Sequence, residues 1–267
     1  MHSIKGLFDY LEKVFPLEYQ EEYDNSGRQI SFDNKPIKGI LVAMDVSPVV
    51  INEAHENNCN CIITHHPIFF KPIKNILDGN STGQMVIACI QHEISVYAAH
   101  TNADAVCWDL LAKSLGLKNI ALLFPDKRFS EIGYGATGDY EYDITLSDIL
   151  KKISQLLQST SMIYYGDSGK PIKKVACLQG AGSRKINAVI SHGSVDCIIT
   201  GDVGYHDAVF ANNNGVAVID IGHYVSEKPI IDFLYQTVYN YLTKEIHCND
   251  IPLMISNKEH NPMKCGM

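Results

Sequence analysis

Three observations predict an α/β fold. Short runs rich in Ile and Val alternate with segments of helical period, a Cys-Ile-Ile-Thr tetrapeptide occurs twice in matching settings, and imidazoles and carboxylates cluster just after the predicted strands. Taken in order, residues 3–15 place Lys5, Asp9, Glu12 and Lys13 between apolar positions, which reads as an amphipathic helix. Residues 39–44, 61–64, 95–99, 175–178, 197–200 and 216–219 are too short and too apolar for surface helices and read as strands. Between them, 48–57, 83–92, 105–115, 146–157, 185–192 and 229–242 carry the three-to-four spacing of helices. Thr145 and Asp148 form a capping-box pattern that opens one of these.

The tetrapeptide at 61–64 recurs at 197–200, and the surroundings repeat with it. Each copy follows a strand and a helix, and each precedes a helix and a further strand. The first of those later strands leads into His100 and Asp104, the second into His223 and Glu227, a histidine and a carboxylate four apart in both. This predicts two related lobes, about 1–125 and 126–250, joined at Pro125-Asp126-Lys127-Arg128 without a low-complexity linker, and a tail over 251–267.

The 267 residues, 46% hydrophobic, are enough for such an arrangement without disulfide or metal staples. Lys and Arg number 22 against 30 Asp and Glu, a formal net charge of −8 that opposes a broad electrostatic grip on nucleic acid. The eight cysteines are scattered with no CxxC pair, and no secretory leader is legible, so free thiols in a reducing cytoplasmic compartment are expected. No apolar run approaches the length of a membrane span.

In α/β sheets ligands gather at the carboxyl ends of strands. His65-His66-Pro67 stands at such an end, where the proline interrupts regular structure. Two adjacent imidazoles there address two ions, or one binds while the other orients; the plain alternative is a polar loop. His100, Asp104, His223 and Glu227 strengthen the first reading. Nitrogen and oxygen donors without thiolate suit Zn, Mn, Fe, Ni or Co, and carboxylates bridge ion pairs about 3.5–4 Å apart. The competing role for Asp104 and Glu227 is to cap the helices that follow. His206 and Asp202, in a glycine-bearing loop, are candidates for lining the site or moving a proton, and His100 for supporting a ligand. His55, His92, His192 and His247 read as ordinary surface or core residues. Gly180-Ala181-Gly182-Ser183 could cradle a phosphate but lacks the lysine and spacing of a P-loop. Trp108, four residues after Asp104, is expected on the same helix.

Six ordered motifs, Asp24-Asn25-Ser26-Gly27, Thr64-His65-His66-Pro67, His100-Thr101-Asn102-Ala103-Asp104, Gly180-Ala181-Gly182-Ser183, Thr200-Gly201-Asp202 with Tyr205-His206, and Asp220-Ile221-Gly222-His223 with Glu227, resemble the NGG-one-interacting factor three-like family over about residues 5–243. Its members carry the name GTP cyclohydrolase I type 2 homolog. The resemblance implies two intertwined, pseudo-repeated α/β lobes with a dinuclear metal site in the crevice between them, assembled as a toroidal homohexamer. It implies His65, His66, Asp104, His223 and Glu227 as ligands of two divalent ions, with identity among Zn, Mn, Fe and Ni left open. It further implies a small-molecule substrate, GTP in that reading, attacked by activated water at C8 of the guanine with loss of formate. The alternative is a ring-shaped, metal-containing scaffold or regulatory protein without turnover. Arg28-Gln29 departs from the aliphatic continuation usual after the first motif, and the chain has no room for the inserted central domain of some members. In the tail, His260 and Cys265 are expected to be solvated.

Overall fold

The structure is a computed structural model that describes residues 2–157 and 161–264. Its chain divides into two compact units, one of residues up to Ala105 together with Ile230–His260, the other of Val106–Pro229 with the residues from Asn261.

The first unit opens with α1 (Ile4–Val14), capped by the Ser3 hydroxyl accepting from the Gly6 N–H at 3.2 Å. There follow β1 (Gly27–Ile30), β2 (Ile40–Ala43), α2 (Pro48–Glu56), β3 (Cys61–Thr64), α3 (Ser81–Gln91), β4 (Ser95–Ala98) and α4 (Thr101–Val106). Every residue of β2, β3 and β4 is buried, as parallel strands covered on both faces must be. Leu41, Ala43, Ile62 and Val96 point to the side of α2 and α3, where Val50, Ile51, Ala54 and Cys89 meet them. The opposite face belongs to α1, whose Phe8 ring lies 5.1 Å from that of Tyr97.

The second unit runs through α5 (Leu110–Ser114), β5 (Lys118–Pro125), β6 (Gly133–Thr145), α6 (Leu146–Leu157), β7 (Ile163–Tyr165), β8 (Pro171–Cys177), α7 (Ile186–His192), β9 (Cys197–Thr200), α8 (Tyr205–Asn213), β10 (Ala217–Asp220) and α9 (His223–Glu227). One face of its sheet packs Ile172, Val175, Cys197, Ile199 and Ile219 against Leu146, Ile149 and Ile153 of α6. The other packs Ala176, Ile198 and Val218 against Ile186, Val189 and Ala211 of α7 and α8. The chain then returns to the first unit as α10 (Pro229–Asn240) and β11 (Leu253–Ile255). Ring contacts Phe15–Phe233 at 6.0 Å and Tyr10–Tyr241 at 5.1 Å seat the returning segment beside α1.

Among the described residues the first sheet has the order β1-β4-β3-β2-β11 and the second β5-β6-β8-β9-β10-β7. The repeat seen in the sequence is a repeat of topology. In each sheet Cys-Ile-Ile-Thr forms the middle of three parallel strands, β2-β3-β4 and β8-β9-β10. In each an antiparallel strand, β1 or β7, borders the last of the three.

Three expectations are corrected. Pro125-Asp126-Lys127-Arg128 is not the boundary between units: it is the turn of the β5–β6 hairpin inside the second, closed by Asp126 Oδ1 accepting the N–H groups of Arg128 and Phe129 at 2.6 and 3.2 Å. The predicted helix 105–115 is broken into α4 and α5, because the Cys107 carbonyl accepts from Leu110 N–H and from the buried Gln179 amide instead of from the next helical turn. Trp108 therefore lies between the helices, packed on the second unit's core, and not on a shared helix face with Asp104. The tail is ordered as far as Glu259, with β11 extending the first sheet in parallel with β2. His260 in it is exposed, and Cys265 lies outside the described residues. The seven described cysteines are free thiols, six of them buried. Among the described residues no helix is long and apolar enough to cross a membrane.

Candidate metal centre

In the first unit the strand ends converge. Beyond β3 the ladder continues for two residues, with His65 and His66 donating backbone N–H groups to the Ala43 and Met44 carbonyls at 3.3 and 2.9 Å. The chain bends at these two residues, so that both rings turn toward the same corner, their centroids 5.0 Å apart. His65 is fully buried, and its Nδ1 meets the Ala99 carbonyl at 2.8 Å. His66 is half-buried, and its Nδ1 meets Asp45 Oδ1 at 2.9 Å. His100, from the end of β4, places Nδ1 at 2.6 Å from Asp24 Oδ1. The ring centroids form a near-equilateral triangle, 5.0 Å between His65 and His66, 5.2 Å between His65 and His100, and 5.4 Å between His66 and His100. One ligand atom from each of the three falls within 4.8 Å of the others. Asp104, one turn into α4, presents Oδ1 at 3.7 Å from His65 Nε2.

Asp24 organises this corner. Its side chain is buried and accepts from His100, from the Thr101 backbone and hydroxyl, and from the Ser26 hydroxyl. Burial pushes its carboxyl up, but the His100 imidazole and the two hydroxyls more than reverse that and hold it well below the usual carboxylate range. Asp24 thus receives the first N–H of α4, and Asp104 is left to face His65 and does not cap the helix.

The second unit holds a histidine–carboxylate pair of its own. Gly222, with φ of 80°, turns the chain out of β10 so that His223 starts α9, and helical spacing stacks His223 over Glu227. His223 Nδ1 lies 2.8 Å from Asp202 Oδ2 and Nε2 lies 3.2 Å from Glu227 Oε1. Asp202 reaches this position from a left-handed backbone conformation, φ 57°. Donating a hydrogen bond to the Glu227 carboxylate raises the His223 pKa to about 9, against a smaller lowering by burial and with help from Asp202. Glu227 is buried and ends α9, so it does not cap that helix's N-terminus. Gly180, φ 59°, passes so close that a Cβ there would stand 2.3 Å from Glu227 Oε1. The glycine-rich motif at 180–183 is explained by this approach, with the Gly180 N–H donating to Ser226 Oγ at 2.8 Å.

His206 stands exposed in the first turn of α8, its ring edge-on to Tyr205 at 5.3 Å, and Asp202, not His206, is the residue joined to His223. His55, His92, His192 and His247 are exposed, as expected, with His55 and His92 stacked at 3.9 Å. The motif reading left Asp24, Asp45 and Asp202 without assigned partners. Asp45 was within reach of the strand-end rule, since it follows β2 as His65 follows β3.

A divalent cation fits these residues. Metal-bound imidazoles characteristically give their other ring N–H to a carboxylate or carbonyl, which sets the tautomer and aims the ligating nitrogen. His65, His66, His100 and His223 all have Nδ1 on such an oxygen, which leaves Nε2 as the nitrogen that each candidate ligand among them would offer a cation. The acceptors differ in kind, one carbonyl and three carboxylates, so the pattern does not come from one repeated local turn.

Related proteins share both sequence and architecture. A Clostridium acetobutylicum protein named GTP cyclohydrolase 1 type 2 homolog is 33% identical over 266 residues, 98% of each chain. A Helicobacter pylori protein named GTP cyclohydrolase 1 type 2 is 30% identical over 244 residues, 91% of this chain and 95% of its own. The crystal structure of Staphylococcus aureus protein SA1388 matches with a TM-score of 0.90 at 28% identity, over 98% of this chain and 99% of its own. A Bacillus cereus protein related to NIF3 shares the fold at a TM-score of 0.91 and 22% identity, covering 99% of both. The pattern of Duf34/NIF3 (NGG1p interacting factor 3) extends over residues 2–262, past the 5–243 expected from motifs and into the C-terminal strand. With nearly every residue from the first helix to the ordered tail inside that match, the chain belongs to the Duf34/NIF3 family.

Proposed function

We propose that this protein is a metal-dependent hydrolase in which His65, His66, Asp104, His223 and Glu227 together hold two divalent ions per chain, drawn from Zn, Mn, Fe and Ni. The observation that carries the reading is the orientation of the imidazoles, each with Nδ1 bound to an oxygen and Nε2 presented for coordination. Each unit supplies donors of the same kind, His65, His66 and Asp104 in the first and His223 with Glu227 in the second. When bound, such ions supply Lewis acidity, making water a better nucleophile near neutral pH and polarising the bond under attack. The chain's own groups then have distinct tasks. Asp24 fixes His100 beside His65 and His66, and His100 is the proton-transfer candidate of that unit. Asp202 orients His223, and His206, exposed on the neighbouring helix, is the corresponding candidate in the second unit.

The names of the relatives support a nucleotide, GTP, as the substrate to test first. A homohexameric ring, from the family resemblance, and a cytoplasmic setting, from the free thiols, belong to the same proposal. The test is metal content per chain by elemental mass spectrometry on untagged protein purified without chelator, beside Asp104→Ala and Glu227→Ala. Near two ions per chain, falling in both variants, with GTP consumed by the loaded wild type, is the expected result. Protein that takes up none of the four metals overturns the reading. Metal retained without turnover of GTP or phosphoesters transfers the weight to the scaffold alternative.

A further inference from the structure

The C-terminal strand does more than extend a sheet. After β11 the chain is tied down residue by residue: the Ser256 N–H donates to the Val42 carbonyl at 2.8 Å, and the Ser256 hydroxyl and the Asn257 N–H both reach the carboxylate of Glu53, a buried residue of α2. Lys258 pairs with Glu56 on the surface. This strap ends at Glu259, whose own N–H is held by Ser256 Oγ at 3.1 Å. Glu259 Oε2 accepts the Met44 N–H at 2.8 Å and Oε1 accepts the Asp45 N–H at 2.7 Å. Those are the two residues by which the chain leaves β2, and both touch His66. The Met44 carbonyl receives the His66 N–H at 2.9 Å, and Asp45 Oδ1 takes His66 Nδ1 at the same distance. The ladder holds the Met44 carbonyl, and a carboxylate accepting the two consecutive N–H groups of Met44 and Asp45 sets the direction of the turn.

We propose that Glu259 is a positioning residue for the metal centre, clamping the Met44–Asp45 turn so that Asp45 fixes His66 with Nε2 as its ligating nitrogen. The proposal rests on the reading of His66 as a ligand. It assigns a task to the C-terminal strap, which acts on the site from 215 residues away in sequence.

The experiment uses the full chain and the variants Glu259→Ala, Glu259→Gln, Asp45→Ala, the double Asp45→Ala/Glu259→Ala, and Lys258→Ala. Zinc affinity is measured by competition with a chromophoric chelator. The His66 tautomer is read in metal-free protein from imidazole ¹⁵N shifts, assigned with His66→Gln. Removing an outer partner of a ligand costs roughly ten- to a hundredfold in affinity. Asp45→Ala is expected in that range and Glu259→Ala at its lower end, about tenfold, with Glu259→Gln intermediate because it keeps one acceptor. The double variant should bind no more weakly than Asp45→Ala, the signature of a shared route. Lys258→Ala, which loosens the same strap without touching the turn, should bind as wild type. In metal-free Glu259→Ala, the single Nδ1–H tautomer of His66 should give way to a mixture.

Wild-type zinc affinity in Glu259→Ala, full additivity in the double variant, or an unchanged His66 tautomer in Glu259→Ala overturns the proposal. Should Glu259→Ala fail to fold, Glu259→Gln carries the same three readouts. Wild-type protein that binds no zinc sinks the metal reading instead, and the tautomer in metal-free protein then decides the role of Glu259 by itself.

Discussion

His223, one of the proposed ligands, is charged in the metal-free protein. Between Asp202 and Glu227 its imidazole is held protonated, with a pKa of about 9 against an ordinary 6.5. Because the folded value is raised, the stabilisation is complete below about pH 6.5 and is lost as pH rises through 9. A third of the side chain is exposed, so solvent screens the interaction and the effect on stability is modest. Metal-free wild type should therefore lose thermal stability between pH 7 and pH 10 more steeply than His223→Gln. Equal slopes would show the ring to be neutral already. Coordination runs the other way, since it needs the neutral ring. Metal uptake at pH 7 should release a proton from His223, seen as buffer-dependent heat in calorimetry, and affinity should grow toward pH 9. These roles were only partly legible in the residues themselves. A histidine and a carboxylate four apart after a strand can be found by eye, but Asp24, 76 residues from its partner His100, and Asp45, 21 from His66, are joined only by folding.

Among the secondary elements the parallel strands were the easiest to read and the antiparallel ones the hardest. β3 and β9 were placed to the residue, because strands covered on both faces are unbroken apolar runs. None of β5, β6 and β7 is buried along its whole length. β6 is interrupted by glycines that the hairpin requires, a Cβ at Gly133 falling 2.1 Å from the Phe124 carbonyl oxygen and Gly135 taking φ of 71°. β7 is a three-residue edge whose Ile163 and Tyr164 are exposed. β1 carries Arg28, whose guanidinium is spent on Asp9, Glu12 and Asp33 at the surface. The contrast is measurable. Ile62→Ala and Ile198→Ala, each at the centre of its unit's sheet and fully buried, should each cost about 2–5 kcal/mol in denaturant unfolding. Ile163→Ala on the exposed edge should stay within about 0.5 kcal/mol of wild type. A cost at Ile163 as large as at Ile198 would mean that β7 is covered in solution.

For the molecule as a whole, metal should act as a folding ligand. The proposed donors come from segments far apart in the chain, and the unfolded chain offers no such preformed set, so metal held by them would stabilise the native state by mass action. At a free metal concentration a hundredfold above Kd the gain is about 2.7 kcal/mol. The melting temperature of chelator-treated protein should rise on adding Zn, Mn, Fe or Ni, and Asp104→Ala should show a smaller rise. No shift with the metal present far above Kd would count against native-state ligation. The class of fold, the duplicated strand-helix pattern and the strand-end histidines could all be read in one dimension, since they follow from local periodicity and from the rule that loops after parallel strands meet. The division into units could not. The chain leaves the first unit at Ala105 and re-enters it at Ile230, and the turn that resembled a linker is a hairpin. Nor could the anchoring of the imidazoles, from the Asp24 corner to the strap that brings Glu259 to Met44 and Asp45. Periodicity encodes which face of an element is buried, whereas a hydrogen bond between distant residues exists only once the sheets have set their registers, and it leaves no trace in local pattern.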